Sequence, residues 1–328
     1  MKLSRRQIES ITLGVQEISE EDGYFRFRRM PIAQAGAFAA VNDMFSIRAK
    51  STSSIRFDFY TDSDFLAFEY RVGFASSRGF YSFDADINGK PVYSVSGDIT
   101  KNSGDESGKF YLELPSGISR VTVWFPALTA GYVKNVELSS GANIERVAKR
   151  ARILFYGDSI TQGYDARFSR NSYVNILADK LDIEAINLGI GASGFEPSTV
   201  FPRECDAVSV AYGTNDWAYR GSKEELISHA AGFMDRVAQV HSGKPVCVLL
   251  PIWRLIKDDF VSNIGAFTNT HEIIGKLAAE RGFSVVNCID FIPHDFKYYS
   301  PDVLHPNDDG FAHFAAALIP VFEKLLRR

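Results

Sequence analysis

Cysteine is scarce: the 328-residue chain has three, Cys205, Cys247 and Cys288. An odd, widely spaced set makes neither a disulfide framework nor a CxxC metal site. Cys247 and Cys288 stand inside the apolar runs PVCVLL and SVVNCID, so buried, inert thiols are expected. Long hydrophobic runs are also missing. No stretch reaches the ~18 apolar residues that a transmembrane helix needs, so no membrane span is expected. The opening segment MKLSRRQIESITLGVQEISEEDG is interrupted at Gln7, Glu9, Ser10, Glu17 and Glu20. It therefore lacks the apolar core of a signal peptide, and a cytoplasmic location is expected. Basic charge is not in excess. Lys plus Arg number 36 against 40 Asp plus Glu, a net −4, which argues against a nucleic-acid partner. Internal repeats and low-complexity tracts are absent.

What is present is apolar and aromatic. Hydrophobic residues make up 45% and charged residues 23%, values of a globular chain. The length favours two domains. Thirteen of the 26 Phe precede residue 150, ample apolar area for a core in the shorter part.

Residues 24 to 140 read as strands. Phe25 and Phe27 alternate with Arg26 and Arg28; Ile55, Phe57 and Phe59 with Arg56 and Asp58; Val121, Val123 and Phe125 with Arg120, Thr122 and Trp124. Leu66, Phe68, Tyr70 and Val72 repeat the pattern. Period two places one set on a core face and the other toward solvent. Asn88-Gly89 between YSFDADI and KPVYSV signals a hairpin. Turn clusters at 62–64 and 102–108 separate the runs. An all-β sandwich or jelly roll over residues 1–148 is expected.

The pattern changes near residue 150, where SSGANIERVAKR is polar and then basic. Five apolar runs come after it, at 153–156, 185–188, 207–212, 246–250 and 284–288. They lack alternation, as do strands buried on both faces. Ser222-Lys223-Glu224-Glu225 is a capping box for a helix to about His241. Further helices are expected from about Asp259 to Arg281, stopping at Gly282, and from Asn307 to the end. Strand–helix alternation over 149–328 predicts an α/β domain with a flavodoxin-like, doubly wound parallel sheet.

Ligands bind such sheets beyond the carboxyl ends of the strands, so the residues just past each strand are candidates for the site. Gly157-Asp158-Ser159-Ile160-Thr161 places a serine at that edge, although an ordinary capping turn has the same composition. It is not a G-x-S-x-G elbow. Gly213-Thr214-Asn215-Asp216-Trp217 offers the Asn215 amide, an uncharged donor worth roughly 3 kcal/mol to an oxyanion. A self-bonded turn is the alternative. Asp302-Val303-Leu304-His305-Pro306 sets a carboxylate three residues before an imidazole, within reach of Nδ1–H.

Together and in this order, GDSIT, GTND and DVLHP resemble the GDSL-type, or SGNH, hydrolase superfamily over residues 150–328. The resemblance implies the SGNH hydrolase fold, with Ser159 as nucleophile, His305 as general base and acid, and Asp302 as its orienting partner. It implies an oxyanion hole of the Ser159 N–H, the Asn215 amide and a glycine N–H after the second strand. Ala192 stands where that glycine is usual, with Gly191 as the alternative donor. Alanine keeps the N–H but restricts φ.

Gly189-x-Gly191-x-x-Gly194 formally fits a dinucleotide fingerprint. Pro197 and Pro202 oppose the helix it should open, so no nucleotide is expected. Asp158, Trp217, Trp253 and Arg254 lie at the ligand edge as candidate substrate contacts, with Tyr219 beside them. Each Trp could stack on a sugar ring or pack under a loop. Asn307-Asp308-Asp309-Gly310 lacks the spacing of a calcium loop, and neither metal nor cofactor is expected.

The expected function is a serine esterase cleaving a small ester, with an acetylated sugar as candidate substrate. One alternative is an acyltransferase using the same triad. Another is a noncatalytic glycan-binding protein on a hydrolase scaffold. The β-domain would bind glycan, shape the mouth of the site or make a homo-oligomer.

Overall fold

Alternating apolar residues build the first part of the chain into two packed antiparallel sheets. The computed structural model describes residues 1–100 and 105–327. Its early strands are β1 (Thr12–Leu13), β2 (Glu17–Glu21), β3 (Tyr24–Arg28), β4 (Arg56–Thr61), β5 (Phe65–Gly73) and β6 (Phe80–Ile87). They continue with β7 (Lys90–Asp98), β8 (Glu106–Glu113), β9 (Ser119–Trp124), β10 (Ala130–Leu138) and β11 (Ile144–Arg146). One sheet runs β1-β4-β9-β6-β7, with β11 on β4; the other runs β2-β3-β10-β5-β8. Phe57, Phe68, Phe83, Phe110 and Phe125 fill the space between them. Asn88 and Gly89 close the β6–β7 hairpin at φ +52° and +75°, the left-handed pair that a two-residue turn needs. Of the turn expected at 102–108, residues 102–104 lie outside the described residues, and Glu106, Ser107 and Gly108 belong to β8.

Two features depart from the strand pattern. Helices α1 (Arg5–Ile11), α2 (Ile32–Val41) and α3 (Asp43–Arg48) stand in the β region. Also, Arg56, Asp58, Thr122 and Trp124, on the side expected to face solvent, are buried. The reason is tertiary: that face of the sheet lies against the second half of the chain. Trp124 shares a core with Ile153, Phe155 and Tyr173.

The second half has five parallel strands: β12 (Ala151–Gly157), β13 (Ile183–Asn187), β14 (Ala207–Ala211), β15 (Val246–Leu249) and β16 (Ser284–Val286). Their spatial order is β13-β12-β14-β15-β16, the flavodoxin-like order 2-1-3-4-5. The helices are α4 (Ser159–Gln162), α5 (Tyr173–Lys180), α6 (Thr214–Tyr219), α7 (Lys223–Val240), α8 (Phe267–Glu280) and α9 (Asp308–Leu325). Ser222 caps α7 by accepting the Glu225 N–H, while Glu225 reaches back to Gly221 N–H rather than to Ser222. Helix α8 begins later than the expected Asp259. Gly265, at φ +82°, turns the chain just ahead of it. All three cysteines are buried. Among the described residues, no helix is long and apolar enough to cross a membrane.

Phe38 and Phe45 of α2 and α3 join the α/β core beside Ile186, Leu188 and Tyr212. Arg29 is fully buried between the halves and donates to the carbonyls of Ser51, Arg48 and Asn187. Burial lowers its pKa to about 9, so it stays charged at neutral pH.

Candidate active site

Strand β12 delivers Ser159 to the sheet edge through a tight turn. A Cβ on Gly157 would sit 2.1 Å from Thr161 Oγ1, so only glycine fits there. Asp158 caps α4, its Oδ1 accepting the Ile160 N–H at 2.9 Å. Burial pushes the Asp158 carboxyl up to about 7. Asp158 is buried, and its side chain serves as the cap of α4.

His305 arrives from the loop ahead of α9. Asn307 ties that loop down, accepting the Gly310 N–H and donating to the Lys297 carbonyl at 2.7 Å. Asp302 Oδ1 accepts the N–H groups of Leu304 and His305, both at 3.0 Å, and the Ser300 hydroxyl at 2.7 Å. Val303 takes φ +51° to close this turn, a left-handed conformation uncommon for a β-branched residue. His305 Nδ1–H donates to Asp302 Oδ2 at 2.6 Å, and the Ser159 hydroxyl donates to His305 Nε2 at 2.7 Å. A carboxylate facing Nδ1 requires the proton there, which leaves Nε2 as the acceptor. Burial raises the Asp302 carboxyl, but the His305 hydrogen bonds prevail and hold it well below the usual carboxylate range.

The loop after β13 lies against α4 through Gly191 and Gln162, and α6 holds that loop through Asn215. Asn215 Nδ2 donates one hydrogen to the Ser193 carbonyl at 3.0 Å, leaving the other hydrogen of the amide. Gly191 N–H donates to Gln162 Oε1 at 2.8 Å, so this N–H is already engaged. Among the described residues, the N–H groups of Ala192 and Ser159 donate to no acceptor. A cavity of about 160 Å³ adjoins, lined by Val41, Phe45, Ala192, Asn215 and Tyr219.

The expected aromatic contacts are not brought to this place. Trp217 is buried, donates to the Gly265 carbonyl and packs on Phe260 and Phe267, so it is core rather than a sugar platform. Trp253 has one face taken by His294, with ring centres 4.9 Å apart. Arg254 is half-buried, donates to Thr214 Oγ1 at 3.1 Å and covers Trp217. Tyr219 is exposed at the cavity mouth.

Several residues near the site carry no local sequence signal. Arg48 donates to the Gly191 carbonyl and to Ser76 Oγ. Tyr164 lies over the His305 ring, with centres 5.4 Å apart. Asp165 Oδ2 stands 3.5 Å from His305 Nδ1. Arg78, 224 positions before Asp302, reaches both Asp165 and Asp302. A signal for these would have had to link residues far apart in the chain.

Residues 155–313 match the sequence model of the GDSL-like lipase/acylhydrolase family. No curated protein matches the chain. Among solved structures, the salicylyl-acyltransferase SsfX3 from a tetracycline biosynthetic pathway is 21% identical, with TM-score 0.79, covering 97% of this chain and 96% of that one. A protein from Bacteroides ovatus described as GDSL-like lipase is 18% identical, with TM-score 0.72, over 98% and 97%. A family two carbohydrate esterase from Clostridium thermocellum, in complex with cellohexaose, is 15% identical, with TM-score 0.65, over 84% and 94%. At these identities the likeness to the solved structures is one of fold. The family match rests on the segment that carries Ser159, Asn215, Asp302 and His305, and through it this chain contains a GDSL-like lipase/acylhydrolase domain of the SGNH superfamily.

Proposed function

We propose that this chain is a serine esterase that removes a short acyl group from an alcohol, with an acetylated carbohydrate as the substrate class. The observation that carries this is the continuous hydrogen-bond chain from the Ser159 hydroxyl through His305 to Asp302, at 2.7 and 2.6 Å. His305 Nε2 takes the hydroxyl proton as Ser159 Oγ bonds to the ester carbonyl carbon. The oxyanion is held by the Ser159 and Ala192 N–H groups and by the Asn215 amide. Collapse breaks the ester C–O bond, and His305 gives its proton to the leaving alcohol. Water, deprotonated by His305, then releases the acid and frees Ser159. The small size of the cavity beside Ala192 and Asn215, about 160 Å³, supports a short acyl group. The carbohydrate part rests on the likeness to the esterase solved with cellohexaose. The division of labour falls at a boundary near residue 148, with the β region shaping the mouth.

A serine-directed phosphonate fluoride tests this. Wild type should gain one adduct by intact mass, and Ser159→Ala none. Equal labelling of both would sink the proposal. Among substrates, acetylated sugars and short nitrophenyl esters should exceed long-chain esters, and the reverse order would remove the carbohydrate reading.

A second reading is acyl transfer to an acceptor other than water, favoured by the full-length likeness to a salicylyl-acyltransferase. Product analysis with a competing alcohol separates the two. Formation of the new ester at the expense of free acid would establish transfer.

A further inference from the structure

His305 Nδ1 faces two carboxylates. Asp302 Oδ2 lies at 2.6 Å and Asp165 Oδ2 at 3.5 Å. One carboxylate fixes the tautomer and stabilises the imidazolium that forms on proton transfer. A second, uncompensated one would add to that stabilisation of the imidazolium. The structure supplies the compensation from the other half of the chain. Arg78, in the loop between β5 and β6, donates from Nε to Asp165 Oδ1 at 2.8 Å and from Nη2 to Asp165 Oδ2 at 3.3 Å. The same Nη2 donates to Asp302 Oδ2 at 3.3 Å. Asp165, Asp302 and His305 bring ligand atoms within 4.8 Å of one another, and the Arg78 guanidinium lies against both carboxylates.

The geometry is held in place rather than incidental. Asp165 sits at φ +65°, in the left-handed region. Phe74 in the Arg78 loop sits at φ +57°. Ser76 of that loop accepts from Arg48 Nε at 3.1 Å and lies 3.3 Å from the Tyr164 hydroxyl.

We propose that Arg78 is a positioning residue of the catalytic pair: it clamps Asp165 and Asp302 about His305 Nδ1 and offsets the charge of the second carboxylate. This rests on the reading of Ser159 and His305 as nucleophile and base. The β region would then complete the charge balance of the triad and not only roof it. The other groups that bear on His305 are Ser159 at Nε2, Tyr164 over the ring and Asp158 beneath Ser159. The charge of Arg254 also bears on Asp158 and Asp302.

The test is the rate of Ser159 phosphonylation as a function of pH, which reads the base directly and needs no known substrate. In Arg78→Ala the acid limb should move up by about one pH unit, making labelling on that limb about tenfold slower than in wild type. Asp165→Asn alone should move the limb the other way, because Arg78 then bears on Asp302 unopposed. The double variant should return toward wild type. Arg78→Lys should restore the limb, since it keeps the charge, but not the full plateau rate, since it loses the fork. An acid limb unmoved in Arg78→Ala, with no recovery in the double variant, would overturn the proposal and leave Arg78 a loop anchor. If Arg78→Ala fails to fold, Asp165→Asn alone decides by the direction of its shift. Wild type that takes no label on Ser159 overturns the esterase reading as well, so the two failures are distinguishable.

Discussion

Ala192 holds φ at +62°, where an L side chain costs roughly 1–2 kcal/mol relative to the right-handed region. Its N–H donates to no acceptor among the described residues, whereas Gly191 N–H is spent on Gln162. Ala192→Gly should therefore stabilise the fold by up to about 1 kcal/mol, the strain relieved outweighing the added freedom of the unfolded chain. The rate of Ser159 labelling should be unchanged within a few fold. Urea unfolding of the two proteins checks the first statement, and a destabilised variant would contradict it. The same residue shows what local reading can do. Ala192 stands in a short motif at a position where the resembled superfamily usually has glycine, and the demand it places on φ comes from a methyl group alone. Trp217 shows the opposite: its position after a strand suited a sugar contact, but Phe260 and Phe267 enclose it from a distant segment.

Helix α9 connects secondary structure to chemistry. Its cap, Asn307, satisfies the Gly310 N–H and also ties the carbonyls of Lys297 and Tyr299, so one side chain starts the helix and holds the His305 loop. Asn307→Ala should cost about 1 kcal/mol as a lost cap. It should also slow Ser159 labelling about tenfold or more by loosening the His305 position. Asn307→Asp keeps the acceptor but loses the donated bonds, so it should recover stability better than labelling rate. Thermal unfolding together with labelling rates separates the two roles, and equal recovery of both would show that the cap alone matters. The helix and its cap are legible in sequence because Asn-x-x-Gly and the apolar spacing after it are local. Helices α2 and α3 are not, since Phe38 and Phe45 bury against Ile186 and Tyr212, partners more than a hundred residues away.

At the scale of the molecule, the two halves are joined by a buried charge cluster around Asp58. Arg120 binds it through Nε at 2.8 Å and Lys149 through Nζ at 2.7 Å; Lys149 also reaches Asp182 at 3.0 Å. Arg56 donates across the joint to the Ile183 carbonyl at 2.9 Å and lies over Trp124. Burial raises the Asp58 carboxyl, but the hydrogen bonds from Arg120 and the charges of Arg56 and Lys149 take it down to about 2. A depressed carboxylate contributes stability above its unfolded pKa and loses it as the pH falls through the folded value. The contribution, roughly 2 kcal/mol, should be present at pH 7 and disappear between about pH 4 and pH 2. Asp58→Asn should be less stable at pH 7 by about 3 kcal/mol, since Arg56 and Lys149 stay buried without their partner. Its stability should fall less steeply in acid than that of wild type. Urea titrations from pH 7 to pH 3 measure both, and parallel acid profiles would show that Asp58 is not the titrating group.

Alternation in the first 150 residues and unbroken apolar runs after them are enough to specify a β-sandwich and a parallel sheet, because strand burial is written in the period of the chain. Ser159, Asp302, His305 and Asn215 come from the same source, since each stands just beyond a strand or before a helix in a short motif. Tertiary structure decided the rest. It buried Arg56, Asp58 and Trp124 on a face that alternation assigned to solvent, because a second hydrophobic body covers that face. It took Gly191, Trp217 and one face of Trp253 out of use by giving them partners from other segments. It brought Arg48 and Arg78 from the β region to the sheet edge that carries Ser159 and His305, contacts that span 143 and 224 positions. No periodicity or spacing encodes such pairs, because charge and hydrogen-bond complementarity between remote segments exists only once both halves are packed.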